Sequence, residues 1–493
     1  MADLLGILVS GIYYLFSLSL TFTFINVIIV ILTIVFVQKK RPEAVLVWIM
    51  AFLLLPVIVA FVFYLLLGRD YYRKRIFRQK FEVDRETEKA LDALHRSHPG
   101  SSTSLAVMDD RSESLARMVL NSGGSVLTSD NEVTYYNEGD ALFRDMLEAI
   151  RRAKRFVHME FYIIRNDSLA REFEQALTSK RREGVEVKVL MDAVGCHKLP
   201  RRFFGELRAA GGRTKDFFPS VLRRINLRIN NRNHRKLLVV DGDVAFVGGY
   251  NIGKEYIGEG KLGYWRDCML RVKGSGAISV EQRFVQDWNF ASRDELHIED
   301  YAPTTPGNGS VGLQIVSGGP DTDAKPIEEQ YLKTIMSARE YLYIQTPYFV
   351  PSEAIMAALV AAAGSGVDVR VMIPSKPDHP FVYWATLYYA GQALSNCVRV
   401  HQFRKDGFVH AKTMVSDDRV ASIGSANFDI RSFELNFETN GVVYGREVAS
   451  RVKSAYLEDV EKRCKELTPA EYQKRSLIVR FMEAISRLYT PVA

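Results

Sequence analysis

The stretch His234-Arg-Lys236-Leu-Leu-Val-Val-Asp241-Gly-Asp-Val-Ala-Phe-Val-Gly248-Gly249-Tyr-Asn251 returns as His410-Ala-Lys412-Thr-Met-Val-Ser-Asp417-Asp-Arg-Val-Ala-Ser-Ile-Gly424-Ser425-Ala-Asn427. Both copies carry His-x-Lys-x-x-x-x-Asp, a glycine turn and an asparagine, and the His-to-Asn spacing is 17 in each (251 − 234 and 427 − 410). At ordinary residue frequencies three fixed residues in such a window arise by accident on the order of a few hundredths of a time per chain of this length. A second copy with the same tail makes accident untenable. The pair reads as one active site built from two halves.

The residue types fit attack on a phosphodiester. Its negative charge repels nucleophiles, so the reaction needs nearby cations and a nucleophile that is neutral when it attacks. One imidazole can attack phosphorus to give a phosphohistidine, while a second, protonated, gives its proton to the leaving alkoxide and later deprotonates the incoming hydroxyl. The His-x-Lys alternation puts both side chains on one face of a strand, where Lys236 and Lys412 can hold non-bridging oxygens. Asp241 and Asp417 end the strand runs at turn-like pairs and are expected to shape the site through hydrogen bonds rather than to react.

The repeat extends beyond the motifs. Phe156 to Tyr162 and Tyr341 to Tyr348 read as duplicate strands, each after a helical pattern; Gly184-Val-Glu-Val-Lys-Val-Leu190 matches Gly366-Val-Asp-Val-Arg-Val-Met372. Separations of 176 to 185 residues (410 − 234; 345 − 160) mean a duplicated domain, because solenoid units are far shorter. Strands alternating with helices argue an α/β fold with a largely parallel or mixed sheet in each half. The halves differ at two places: Gly249 stands where the second has Ser425, and Glu160 where the second has Gln345. A phosphate contact from the first turn, and a shared charge role at the strand position, are therefore not expected.

With these motifs, and with Arg41 to Trp48, Asn231 to Lys236, Tyr264-Trp-Arg-Asp267 and Gly424 to Ser432, the chain resembles the bacterial cardiolipin synthases of the phospholipase D superfamily over essentially its whole length. The resemblance implies two α/β/α lobes packed as a pseudo-twofold pair, both His-Lys pairs at their interface, no metal and no cofactor. It also implies phosphatidyl transfer from one phosphatidylglycerol to another, giving cardiolipin and glycerol. His234 is implied as nucleophile and His410 as general acid, then base. Asn251 and Asn427 are supporting residues; Glu438 and Asp267 carry over as carboxylates that set the tautomers of His410 and His234, respectively.

The start of the chain is apolar. No charged residue lies between Asp3 and Lys39 or between Glu43 and Arg69, and a membrane-spanning helix needs about 20 such residues. The expectation is an N-terminal transmembrane helical hairpin, with the surplus over residues 4–18 interfacial or re-entrant. A cleaved signal peptide is disfavoured because no basic segment precedes the apolar run. The basic cluster Arg69, Arg73, Lys74, Arg75, Arg78 and Lys80 outweighs Lys39, Lys40 and Arg41, which puts the catalytic part on the cytoplasmic side of a multi-pass protein of the bacterial membrane. Four scattered cysteines, Cys196, Cys268, Cys397 and Cys464, suggest neither a disulfide framework nor a zinc site.

The expected order is anchor and basic segment 1–80, linker 81–104, first lobe 105–300, linker 301–319, and second lobe 320–493 with a C-terminal helix announced by the capping box Thr468-Pro-Ala-Glu471. The overall excess of 65 basic over 58 acidic residues is modest, but the run from Arg201 to Lys236 is strongly basic and reads as attraction to an anionic membrane surface. The aromatic helical stretch Phe381 to Tyr389 fits either core packing or a role in seating lipid. A phospholipase D-type hydrolase, a membrane-tethered nuclease, or a transferase using another donor such as phosphatidylethanolamine would share the same catalytic residues; two apolar spans disfavour nucleic acid. A non-catalytic scaffold would be expected to have lost a histidine or lysine, and all four are intact.

Overall fold

Each of the two motif stretches folds as a hairpin. The apolar run after the motif lysine is a strand, and the Asp-Gly or Asp-Asp pair turns it back in left-handed backbone, with φ of 57° at Asp241, 77° at Gly242 and 52° at both Asp417 and Asp418. The computed structural model describes residues 108–219, 231–404 and 406–489, together with 80, 84–91 and a few earlier positions (21, 22, 24–26, 28 and 50). The two apolar stretches expected to span a membrane lie almost wholly outside the described residues. Among the described residues no helix is long and apolar enough to cross a membrane. Residues 73–488 form one compact unit, and it holds both copies of the repeat.

In chain order the first half contributes β1 (Thr128–Tyr136), β2 (Phe156–Phe161), β3 (Glu186–Asp192), β4 (Arg213–Phe217), β5 (Arg232–Asn233), β6 (Lys236–Val240), β7 (Val244–Gly248), β8 (Tyr264–Arg266) and β9 (Met269–Lys273). The second contributes β10 (Val311–Gly318), β11 (Tyr341–Gln345), β12 (Phe349–Val350), β13 (Asp368–Pro374), β14 (Arg399–Phe403), β15 (Gly407–Val409), β16 (Thr413–Ser416), β17 (Val420–Gly424), β18 (Phe428–Asp429), β19 (Asn436–Tyr444) and β20 (Cys464–Leu467). One sheet runs β20-β14-β13-β11-β16-β17-β19-β10-β1-β9-β7-β6-β2-β3-β4. From its two ends inward, β4-β3-β2-β6-β7-β9-β1 matches β14-β13-β11-β16-β17-β19-β10 strand for strand, with β20 added outside. The outer strands pair in parallel and the motif hairpins antiparallel in both halves. The halves join where β1 meets β10 antiparallel, Thr128 opposite Leu313. The mixed α/β duplication expected from the sequence is therefore present.

Alternation along the motif strands divides the core. Leu238 and Val240 of β6 pack with the helices Gly139–Arg152 and Ser168–Arg182, whereas Leu237 and Val239 face a core shared by both halves. In β16, Met414 faces the second half's own core and Val415 the shared one. Side chains alternating with period two make one strand serve two layers.

Several details depart from the expected order. Within 301–319, read as a linker, β10 occupies Val311–Gly318 and pairs along its length with β19. Its Pro- and Gly-rich flanks disguised a strand that is covered on both sides. Of the stretch 81–104, residues 84–91 are helical, with Leu91 in the shared core. Lys80, counted with the basic cluster after the anchor, is fully buried against Asp84 (2.6 Å), Asp287 (3.3 Å) and Asp321 (3.4 Å). The expected final helix is two: the capping box forms at Thr468 and Glu471 as read, but its helix Pro469–Gln473 stops after five residues, before a second, Leu477–Tyr489. The run from Arg201 to Lys236 is not one basic face, since Arg235 and Lys236 are buried and Arg213 pairs with Asp294 at 2.5 Å; residues 220–230 lie outside the described residues.

Candidate active site

Two short parallel ladders carry each motif histidine across to the other half. β5 lies against β19, and the His234 N–H donates to the Phe437 carbonyl at 2.9 Å. β15 lies against β8, and the His410 N–H donates to the Arg266 carbonyl at 2.7 Å. In each case the next residue on the receiving side is a buried carboxylate. His234 Nδ1 is 3.0 Å from both oxygens of Glu438, and His410 Nδ1 is 2.6 Å from Asp267 Oδ2. This corrects the expected pairing, which kept Glu438 with His410 and Asp267 with His234. Sequence comparison of the halves aligns Asp267 with Glu438, but only the ladders show that each half's carboxylate serves the other half's histidine.

With Nδ1 of each ring donating to a carboxylate, the nitrogen left for chemistry is Nε2. Lys236 and Lys412 donate to the carbonyls of His234 and His410, so each ammonium is fixed beside its ring. Lys412 Nζ also stands 2.8 Å from His410 Nδ1. A nitrogen that donates to Asp267 cannot accept from lysine, so this is a close approach of charge rather than a hydrogen bond.

The two carboxylates are shifted in opposite directions. Burial pushes Glu438 up to about 7, against the opposing pull of Lys236 and hydrogen bonds from Ser425 and Asn436. Burial also works against the Asp267 anion, but Lys412 and His410 outweigh it and hold this carboxyl below the usual range. His234 is held well below its ordinary value by burial and then by Lys236, Lys412 and His410. His410 is lowered by burial and Lys412, with Asp267 opposing. Burial lowers Lys412 and brings Lys236 down to about 7. Both imidazoles are thus pushed toward the neutral form, His234 further than His410, which Asp267 opposes, and both lysines are shifted down by burial.

The difference between Gly249 and Ser425 has a reason in this geometry. Ser425 Oγ donates to Glu438 at 2.6 Å. A Cβ at Gly249 would fall 2.1 Å from Asp267 Oδ1, so the first half lacks a side chain there because the shorter carboxylate fills the space. The serine hydroxyl serves its carboxylate.

The motif aspartates stand elsewhere. At about 3.4 Å per residue, Asp241 is roughly 17 Å along its strand from Lys236. Its carboxylate accepts from the backbone N–H groups of Lys154 (2.8 Å), Arg155 (2.7 Å) and Phe156 (2.9 Å). Asp417 does the same for Arg339 (2.9 Å), Glu340 (2.9 Å) and Tyr341 (3.0 Å). They tie the motif hairpin to the start of the neighbouring strand and so set its register; they do not line the site. Asn251 is also structural in its contacts, accepting from Ile163 N–H at 3.0 Å and donating to Tyr256 OH at 2.6 Å. Asn427 is buried beside the second motif, and its side-chain oxygen has no hydrogen-bond partner among the described residues.

Residues that motif reading missed complete the surroundings. Tyr162 meets His234 edge to face at 4.7 Å, and Trp265 lies 5.4 Å from His410. Asp192 holds the Asn233 N–H at 2.9 Å, next to His234. Below the motifs Arg235 pairs with Asp287, and Arg266 with Asp459 at 2.5 Å. Glu160 accepts from Asn233 at 2.6 Å. Burial, then the charge of Asp287, pushes the Glu160 carboxyl far up. In the second half Gln345 donates to Asp459 at 3.0 Å. The amide does permanently what a protonated Glu160 does beside Asp287, which explains the substitution. No residue group that could hold a metal ion occurs among the described residues, and all four cysteines are free.

The family described as "Cardiolipin synthase, PLD-like domain" matches residues 146–288 and 331–460. Cardiolipin synthase 2 of Staphylococcus epidermidis is 42% identical over 466 residues, covering 93% of this chain and 94% of that protein. A cardiolipin synthase of Staphylococcus aureus is 41% identical over 470 residues, 93% of each chain. The major cardiolipin synthase of Bacillus subtilis is 40% identical over 470 residues, 93% and 95%. Among solved structures, phosphatidylserine synthase of Haemophilus influenzae superposes with a TM-score of 0.60 at 13% identity, covering 78% of this chain and all of that one, a likeness of fold.

Proposed function

The chain belongs to the family of cardiolipin synthases with phospholipase D-like domains, and on that premise we propose how it joins two phosphatidylglycerol molecules into cardiolipin and glycerol. The observation that carries the reading is the pair of crossed His–carboxylate contacts, 3.0 Å at His234 and 2.6 Å at His410, each flanked by its motif lysine. His234, kept neutral by burial among cations, attacks phosphorus through Nε2. The P–O bond to the departing glycerol breaks, and the His410 Nε2 proton passes to that oxygen. His410 then takes the proton of the terminal hydroxyl of a second phosphatidylglycerol. That oxygen attacks phosphorus, the P–N bond breaks and His234 is regenerated. The lysines hold the charge that builds on the non-bridging oxygens.

The assignment of His234 as nucleophile rests on the resemblance and on the asymmetry of the carboxylates. An imidazole facing anionic Asp267 is better suited to hold a proton; one facing a Glu438 pushed to about 7 is better suited to stay neutral. Anchoring by a transmembrane hairpin within the first 80 residues, with the catalytic unit cytoplasmic, is part of the same reading. It is supported by the uncharged stretches between Asp3 and Lys39 and between Glu43 and Arg69. The two-lobe order belongs to the same reading, with the second lobe opening at β10 (Val311–Gly318) rather than at residue 320. No metal or cofactor enters the mechanism, and nucleic acid is not a partner.

The test is to incubate the full chain in detergent with phosphatidylglycerol and to separate cardiolipin, phosphatidic acid and glycerol by chromatography. Cardiolipin and glycerol in equal amounts are expected. Phosphatidic acid as the main product would make the chain a hydrolase. Rapid quench without acid and intact-protein mass spectrometry should find a phosphatidyl adduct on His410→Ala but none on His234→Ala; an adduct on His410 would reverse the roles.

A further inference from the structure

The helix Leu477–Tyr489 is docked inside out. It buries Glu483 and Ser486, each 2% exposed, while Leu477, Ile478 and Phe481 are 81%, 75% and 63% exposed. The orientation is fixed by contacts rather than by the want of any. Tyr472, just ahead of the helix, occupies the space where a Cβ of Gly391 would lie, so the segment is seated on the aromatic helix Pro380–Leu394. Arg475 pairs with Glu483 at 2.9 Å and covers the Tyr472 ring, and Arg487 donates to Tyr388 OH at 2.7 Å. Glu483 is thus held by Arg475 of the same segment, Arg487 ties the helix to the helix Pro380–Leu394, and the apolar stripe is what remains outside. Large apolar side chains clustered on a surface mark a site of association.

Charge says with what. From Lys474 to Arg487 the only acidic residue is Glu483, turned inward, while Lys474, Arg480 and Arg487 are exposed. A basic rim around three outward apolar side chains, Leu477 and Ile478 with Phe481 one helical turn on, is complementary to an anionic lipid surface, where the apolar groups enter the headgroup boundary and the cations meet phosphates. We propose that this C-terminal helix is a docking face for the anionic bilayer, a second contact besides the N-terminal segment, seating the catalytic unit on the surface that holds its substrate. The identity of that surface rests on phosphatidylglycerol being the substrate.

The test uses the full chain with Cys397→Ser and Cys464→Ser, the remaining two cysteines being buried. A single cysteine at Phe481→Cys, or in a parallel sample at Lys462→Cys, an exposed position on the core-packed helix Arg446–Arg463, carries an environment-sensitive fluorophore. The protein is reconstituted in vesicles of phosphatidylglycerol and phosphatidylcholine with brominated acyl chains. The probe at 481 is expected to be quenched several times more strongly than at 462, and less so when phosphatidylcholine alone is used or when salt near 1 M cuts the screening length to about 3 Å. Equal quenching at the two positions overturns the proposal. So does a blue-shifted but unquenched probe at 481, which would mean that protein, a second copy included, covers the helix. Cardiolipin formation followed in the same phosphatidylglycerol vesicles keeps the readings apart: conversion without quenching removes the docking face alone, and quenching without conversion removes the assigned reaction alone.

Discussion

Replacing Asp267 with Asn tests the crossed pairing directly. The 2.6 Å contact to His410 Nδ1 is a charge-assisted hydrogen bond between buried groups. Such bonds are worth about 1.5–3 kcal/mol. At 1.36 kcal/mol per pKa unit, losing it should lower the His410 pKa by roughly 1–2 units. His410 must be protonated to release glycerol, so the alkaline limb of kcat/KM should move to lower pH by that amount. At neutral pH the rate should fall by roughly 10–100-fold, more if the amide selects the wrong tautomer, and part of it should return on acidification. Glu438→Gln, made in parallel, should leave that limb in place, because Glu438 faces the other ring. The assay is cardiolipin formation from phosphatidylglycerol in mixed micelles across pH 5 to 9. If Glu438→Gln moved the alkaline limb and Asp267→Asn did not, each half would be supporting its own histidine and the crossed geometry would be wrong.

Glu438→Gln has its own signature in stability. A carboxyl raised from 4.5 to about 7 keeps its proton in the folded state while the unfolded chain releases it, so folding loses stability as pH climbs from 4.5 through 7, by up to about 3 kcal/mol. The glutamine lacks this penalty, and denaturant midpoints at pH 5 and 8 should shift in its favour at the higher pH; a pH-independent difference would contradict the assignment. Gly249→Ala should displace Asp267, whose Oδ1 would lie 2.1 Å from the new Cβ, and lower the neutral-pH rate by roughly the 10–100-fold expected for Asp267→Asn; full activity would mean that the carboxylate can move without cost. Glu160→Gln should keep activity and lose no stability, since Gln345 already fills that role in the other half, and thermal unfolding with a rate measurement checks it.

The fold is legible in sequence because duplication doubles each signal. The strands at Phe156 and Tyr341 and those near Glu186 and Asp368 lie within a few residues of where the pattern puts them, as apolar alternation and turn residues act locally. β10 escapes such reading, because Val311 to Gly318 carries no motif and sits among prolines and glycines; only its two long partners make it a strand. The histidines and lysines of the site are legible for the same local reason. The pairing of histidines with carboxylates is not, since Glu438 lies 204 residues from His234 and Asp267 lies 143 from His410. Asp241 and Asp417 show the converse. Their regular spacing after the lysines reads as shaping the site, but it is the length of one strand, and their work is at the far end of it.

The crossing also explains why the duplicated halves have diverged in compensating ways. Each needs a cation on the buried aspartate behind its motif, and each takes it from a different place. In the first half the guanidinium comes from within the motif, Arg235 to Asp287, with Phe437 opposite it at 5.2 Å. In the second the motif has Ala411, and the guanidinium comes from the position that matches Phe437, Arg266 to Asp459. One site of each facing pair is cationic and the other is not, so the charge is kept while the residue that carries it changes place. Losing Arg266 would take from Asp459 its buried guanidinium, which is strongly unfavourable, whereas Asp287 without Arg235 would still face Lys80 at 3.3 Å. Because both histidine–carboxylate contacts and the Arg266–Asp459 pair cross between the halves, a change in one repeat is felt in the other, and the site is a single unit of two unlike imidazoles.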